Sequence, residues 1–298
     1  MHYGQHRVIP NESGYISAIE KNPDNLRTIL FLHGSGFCKE VFEKQFSSLE
    51  FDSYRLLAID FPGHGASSNA KDPAKTYCYA GLAESVLNIL EQEEISDCLV
   101  AGWSLGGQVA LELIDQSPRI SGVVAFGAPP APNGPLGLVR SMKFSKVLLL
   151  AGKGQFSDAE AKYFEESCLS GLGEGRFKEA LLRSHSEARP NISKNLLYAT
   201  GQSQLQKLEN SKTPVCLMHG EHEPLVRTSF MSGLKADCLY NGETMILENT
   251  AHAPFYEAPE VFNGKLKAFC DDVFAGVAMK TADFNLEYAD KSDQSLAA

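Results

Sequence analysis

The sequence predicts an α/β fold, a mostly parallel, doubly wound sheet flanked by helices, and three observations predict it. Six short apolar runs alternate with helical patterns, most of them end at a glycine or an aspartate, and loop-forming residues follow them. Strands covered on both faces read as continuous apolar runs, and parallel neighbours need a helical crossover between them.

In chain order the runs are TILFLHG (28–34), YRLLAID (54–60), DCLVAG (97–102), GVVAFGA (122–128), PVCLMHG (214–220) and TMILEN (244–249). Apolar residues at helical spacing over 82–92 predict one crossover helix. A second is predicted over 105–114, opening with two glycines and stopped by Pro118. After Gly127 the rhythm breaks. The stretch APPAPNGP (128–135) can continue neither strand nor helix, and from there to about Leu208 the pattern is helical with glycine-rich joints. The expected organisation is a core of residues 1–130 and 209–278, a helical insertion of 131–208, and a loosely held polar tail over 279–298.

Composition narrows the function. A chain of 298 residues that is 43% hydrophobic can bury one large core, so a single domain with an insertion is expected. The net charge of -10 repels phosphate backbones, which argues against nucleic acid as a partner. The start MHYGQHRVIPNESG lacks the pattern of an export signal, and no segment has the length to span a bilayer, so the expectation is a cytoplasmic protein without a membrane partner. Seven cysteines, odd in number and without a CxxC pair, read as small buried hydrophobes rather than metal ligands. The AGKGQ segment lacks the full phosphate-loop pattern, so no nucleotide is implied.

The chemistry is concentrated at LVAGWSLGGQVALEL (99–113), where Ser104 stands in a GxSxG pattern between an apolar strand and a helix. That context presents a serine hydroxyl on a strained corner, clear of the sheet. A serine at neutral pH is a weak nucleophile and needs a base, which in turn needs an acid to fix its tautomer. On a strand–serine–helix elbow the chain order is serine, acid, histidine. Of eight histidines, His2, His6, His33 and His64 precede the serine, His185 lies in the insertion, His219 is inside a strand end, and His222 sits between two glutamates. His252 follows the last strand in a loop that leads to a helix, where a returning base belongs. Glu221 and Glu223 both leave the preceding strand. Glu223, a short turn later and followed by Pro224, is the better acid, and no carboxylate follows the GVVAFGAPP strand to compete with it. The backbone N–H groups of Leu105 and of Ser35, in the turn HGSG, are the expected donors to a developing oxyanion.

The motifs HGSG, DFPGHGASS, GWSLGG, HGEHEP and NTAHAPFYEAP stand in the order and spacing of the α/β-hydrolase superfamily. Over about residues 28–270 their detail resembles the metal-independent N-acyl-homoserine lactone lactonases of that superfamily. The resemblance implies an α/β-hydrolase fold with a helical cap inserted after the sixth strand. It implies Ser104 as nucleophile, His252 as base, Glu223 as acid, and Ser35 with Leu105 at the oxyanion hole. Ser35 replaces the asparagine such lactonases carry after HG, a change that keeps the backbone donor. Tyr163, five residues before Cys168, corresponds to a cap tyrosine, and with Trp103 it is a candidate substrate contact. The implied reaction opens a small ester or lactone with no metal or organic cofactor. A general carboxylesterase, a cofactor-free perhydrolase and a small-signal binding protein share the same motifs. An aspartate-dependent dehalogenase or epoxide hydrolase is excluded by Ser104, and no oligomeric state is indicated.

Overall fold

A computed structural model of the chain describes residues 3–198 and 202–277. The six apolar runs appear as β3 (Arg27–Leu32), β4 (Arg55–Ile59), β5 (Asp97–Trp103), β6 (Ile120–Phe126), β7 (Val215–Gly220) and β8 (Met245–Leu247). They are preceded by β1 (Gln5–Asn11) and β2 (Gly14–Lys21), a hairpin absent from the sequence reading. The eight strands form one sheet in the order β1-β2-β4-β3-β5-β6-β7-β8, in which β1 and β2 pair antiparallel, β2 runs antiparallel to β4, and the remaining pairs are parallel. The hairpin is edge structure. Strand β1 is largely exposed and carries Pro10, a residue that an edge tolerates and a central strand does not.

Alternation across the pleat sends the strand side chains into two apolar layers. One face buries Phe31, Trp103, Phe126 and Phe255 under the carboxy-terminal helix Pro259–Phe274. The other buries Leu30, Val100 and Val109 under the helices Tyr79–Gln92 and Leu105–Glu112. Helices on both faces of a mostly parallel sheet are the expected α/β-hydrolase architecture, with the strands' carboxyl ends gathered on one edge.

Two helix boundaries differ from the sequence reading. The first begins at Tyr79 because the Cys78 thiol accepts the Gly81 N–H at 3.3 Å and caps it. The second ends well before Pro118: the Leu113 N–H closes onto the Val109 and Ala110 carbonyls, and Asp115 turns left-handed at φ 58°. Among the described residues between β6 and β7 lie six helices, Gly134–Ser141, Lys146–Ala151, Asp158–Cys168, Lys178–Arg183, Ala188–Tyr198 and Gln204–Asn210. The tail read over 279–298 falls outside the described residues. All seven cysteines are free, six of them buried. Among the described residues no helix is long and apolar enough to cross a membrane.

Candidate active site

Ser104 occupies the corner between β5 and the helix Leu105–Glu112 with φ 53° and ψ -111°, backbone that a side chain rarely adopts. Two glycines make the corner possible: a Cβ at Gly102 would strike the Gly106 carbonyl, and one at Gly106 would strike the Leu32 carbonyl. The Ser104 N–H donates to the Phe126 carbonyl at 2.8 Å, locking the corner to β6.

Beyond the ends of β8 and β7, His252 and Glu223 meet. The Nδ1–H of His252 donates to the Glu223 carboxylate, 2.8 Å from Oε1 and 3.0 Å from Oε2, with both side chains buried. Because a carboxylate only accepts, Nδ1 carries the proton and Nε2 is left as the basic nitrogen. Oε1 also accepts the Leu225 N–H at 2.9 Å. Burial alone would push the Glu223 carboxyl up, but His252, then His219 and the Leu225 amide, outweigh it and hold the group below its usual value. Glu221 is instead half-exposed and accepts the Asn249 N–H. The geometry therefore pairs Glu223, and not Glu221, with the histidine.

The imidazole lies against Gly127, where a Cβ would sit 3.0 Å from its Cε1. Gly127 follows Phe126, whose carbonyl accepts the Ser104 N–H, so the ring packs on the residue next to the one that holds the serine corner. Ser104 Oγ and His252 form no hydrogen bond in this structure. That contact is often long without substrate and tightens in the reactive complex.

The turn after β3 completes the set. The Gly106 N–H donates to the His33 carbonyl at 3.1 Å, which ties the HGSG turn to the start of the Ser104 helix. The Ser35 and Leu105 amides have no hydrogen-bond acceptor among the described residues. The Ser35 hydroxyl is likewise buried without a partner. His33 is a structural member: its Nε2 accepts the Phe61 N–H at 3.0 Å, and its Nδ1–H donates to the Gly34 carbonyl at 2.7 Å.

Trp103 is fully buried, and its indole N–H donates to the His252 carbonyl at 2.8 Å. Tyr163, on the helix Asp158–Cys168, packs on the apolar layer that contains Trp103, with the Lys146 ammonium 4.1 Å from its ring centroid. Phe164 and Phe177 from the insertion pack on Phe37, which packs on Trp103. A stack of aromatic rings thus links the insertion to Trp103, the residue before Ser104.

Several supporting residues gave no legible signal in the sequence. The Glu257 carboxylate accepts the N–H groups of Ala251 and Ala253 at 2.7 and 2.9 Å, clamping the loop on either side of His252. Lys39 and Asp60 form a buried ion pair behind the HGSG turn, 2.8 Å apart.

His219, on β7, is fully buried, and neither ring nitrogen has a hydrogen-bond partner. Burial, reinforced by His252 and opposed by Glu223, lowers its pKa to about 4. A histidine free in the unfolded chain titrates near 6.5, so acid favours unfolding through this group. Its contribution is complete above about pH 6.5 and is lost as pH falls toward 4, worth about 3 kcal/mol over that window. Denaturant titrations between pH 7 and 4 are expected to show a shallower loss of stability in His219→Phe than in the wild type. Parallel curves would contradict this.

The alpha/beta hydrolase family model matches residues 29–265. In sequence the chain is 25% identical over 266 residues to the pimeloyl-(acyl-carrier protein) methyl ester esterase of Nitrosospira multiformis, covering 86% of this chain and 97% of the relative. In structure it is similar to a serine-to-glycine point mutant of the N-acyl homoserine lactonase AidH complexed with N-hexanoyl homoserine lactone, with a TM-score of 0.86 at 28% identity over 91% of this chain and 99% of that one. A carboxylesterase of Bacillus subtilis shares the fold at a TM-score of 0.68 and 18% identity, over 89% of this chain and 91% of that one. With its elbow serine, its sheet order and a family match that spans both sides of the helical insertion, this chain belongs to the alpha/beta hydrolase family.

Proposed function

We propose that the protein is a serine hydrolase of carboxylic esters whose substrate is the lactone ring of N-acyl-homoserine lactones. The observation that carries the chemistry is the buried His252–Glu223 pair, in a chain whose Ser104 sits on a strained strand-to-helix corner. Similarity to AidH across nine-tenths of the chain supports the lactone.

In this reading His252 Nε2 takes the Ser104 proton as Oγ bonds to the ring carbonyl carbon. The Ser35 and Leu105 amides receive the negative charge of the tetrahedral intermediate. Collapse breaks the ring C–O bond, the imidazolium returns its proton to the leaving oxygen, and the opened chain remains esterified to Ser104. A water that loses its proton to His252 then attacks this ester, and Ser104 leaves reprotonated as the hydroxy acid departs. Glu223 stays ionised throughout and stabilises the transient imidazolium. Trp103 acts by holding the His252 loop and walling the site, and Tyr163 with Phe164 and Phe177 forms the side that meets the acyl chain.

A substrate panel tests the assignment. Ring opening of acyl-homoserine lactones of several chain lengths, followed by acid release, is expected to exceed hydrolysis of p-nitrophenyl and acyl methyl esters in kcat/KM. Turnover of the simple esters alone would leave a general carboxylesterase. No turnover and no labelling of Ser104 by a fluorophosphonate would leave a binding protein.

A further inference from the structure

The insertion carries a buried arginine for which the triad has no use. Arg189, on the helix Ala188–Tyr198, is fully buried and has no carboxylate partner among the described residues. Its guanidinium lies 3.8 Å from the centroid of the Phe156 ring. Its N–H groups reach backbone carbonyls only, with Nε donating to Lys153 at 2.8 Å and Nη2 to Gly154 at 3.3 Å. Both Nη1 and Nη2 donate to Leu181, at 3.4 and 3.3 Å. Five N–H bonds against these four contacts leave one on Nη1 unspent. Nη1 is also the atom that faces the core: a Cβ on Gly36, the last residue of the HGSG turn, would lie 2.6 Å from it.

A buried cation without a counter-charge is costly to keep. Burial lowers the pKa of Arg189 only to about 10, so the group remains charged at neutral pH. The other ionisable groups around the turn do not answer it. Asp60 is engaged by Lys39, and burial keeps His33 and His64 neutral at pH 7. Glu40, the other carboxylate beside the turn, is likewise engaged by Lys39, so an unpaired negative charge arises here when one forms on a substrate oxygen beside Ser35.

We propose that Arg189 is a positioning residue of the insertion that holds positive potential against the HGSG turn and so favours the oxyanion over the neutral ester. Charge on a helix of the insertion would couple its seating on the core to the rate of the chemical step. This rests on the serine-hydrolase reading above. It concerns a developing charge, so it alters kcat and leaves the binding of a neutral substrate nearly unchanged.

The test separates charge from packing. Arg189→Gln removes the charge and keeps donors, and Arg189→Lys keeps the charge and loses the fork. Each is assayed on the best neutral ester or lactone of the wild type, beside thermal melting. An alkyl boronic acid, which forms a tetrahedral anion on an active serine, serves as a mimic. The expected result is a kcat for Arg189→Gln lower by about tenfold, a similar loss of boronate affinity, little change in KM, and most of the activity recovered in Arg189→Lys. Equal losses in the two variants that follow melting temperature, or an unchanged kcat in Arg189→Gln, would overturn the proposal. A wild type that neither turns over esters nor binds boronate would instead remove the hydrolase reading itself.

Discussion

Ser104→Ala is expected to lower kcat by roughly 10⁴- to 10⁶-fold while leaving the fold intact. The size follows from the role proposed for Ser104: without Oγ no acyl-enzyme would form, and only the amides of Ser35 and Leu105 and the apolar walls would remain to favour the transition state. The fold survives because Ser104 contributes its backbone, not its hydroxyl, to the corner; its N–H bond to Phe126 is kept in alanine. The same backbone yields a sharper comparison. With φ at 53° and ψ at -111°, the residue sits where glycine is unstrained, so Ser104→Gly is expected to be as inactive as alanine and more stable than it by about 1 kcal/mol. Single-turnover kinetics and calorimetry on the two variants check this. Retention of near-normal turnover in either would remove Ser104 from the reaction.

How much of this was legible beforehand depends on whether the determinant is local. Strands β3 to β7 were legible because burial on both faces writes itself as an uninterrupted apolar run, and the elbow because Gly102 is required by its contact with Gly106, a few residues on. Glu223 could be preferred over Glu221 by its position after the strand, and the His252 bond gives the physical reason. The β1–β2 hairpin was not legible, since an edge strand exposed along most of its length shows no strong pattern. Pro118 was assigned a stop that Leu113 and Asp115 had already made. Glu257, Arg189 and the Lys39–Asp60 pair could not be read at all. Their roles come from partners brought together by the fold, and a charged residue in sequence looks the same whether it faces solvent or a buried amide.

The second large effect is structural and comes from that pair. Asp60 ends its strand run fully buried, accepting the Lys39 amide at 2.7 Å, the Lys39 ammonium at 2.8 Å and the Ala66 amide at 2.8 Å. Lys39 is only 2% exposed, and burial, which would lower its pKa, is outweighed by Asp60 and Glu40, so it stays charged. Removing the carboxylate therefore strands a buried ammonium and two amides, with Glu40 as the remaining partner. Asp60→Ala is expected to cost about 3–5 kcal/mol, a fall in Tm of roughly 6–15 °C, and to loosen the HGSG turn that Lys39 follows. An apolar replacement of both members, Lys39→Met with Asp60→Leu, is expected to cost less than Asp60→Ala alone, because it strands no buried ammonium and leaves unpaired only the partly exposed Glu40. Denaturant unfolding of the single and double variants measures the coupling directly. A single variant with wild-type stability, or a double variant worse than the sum of its parts, would show that the pair does not anchor the turn.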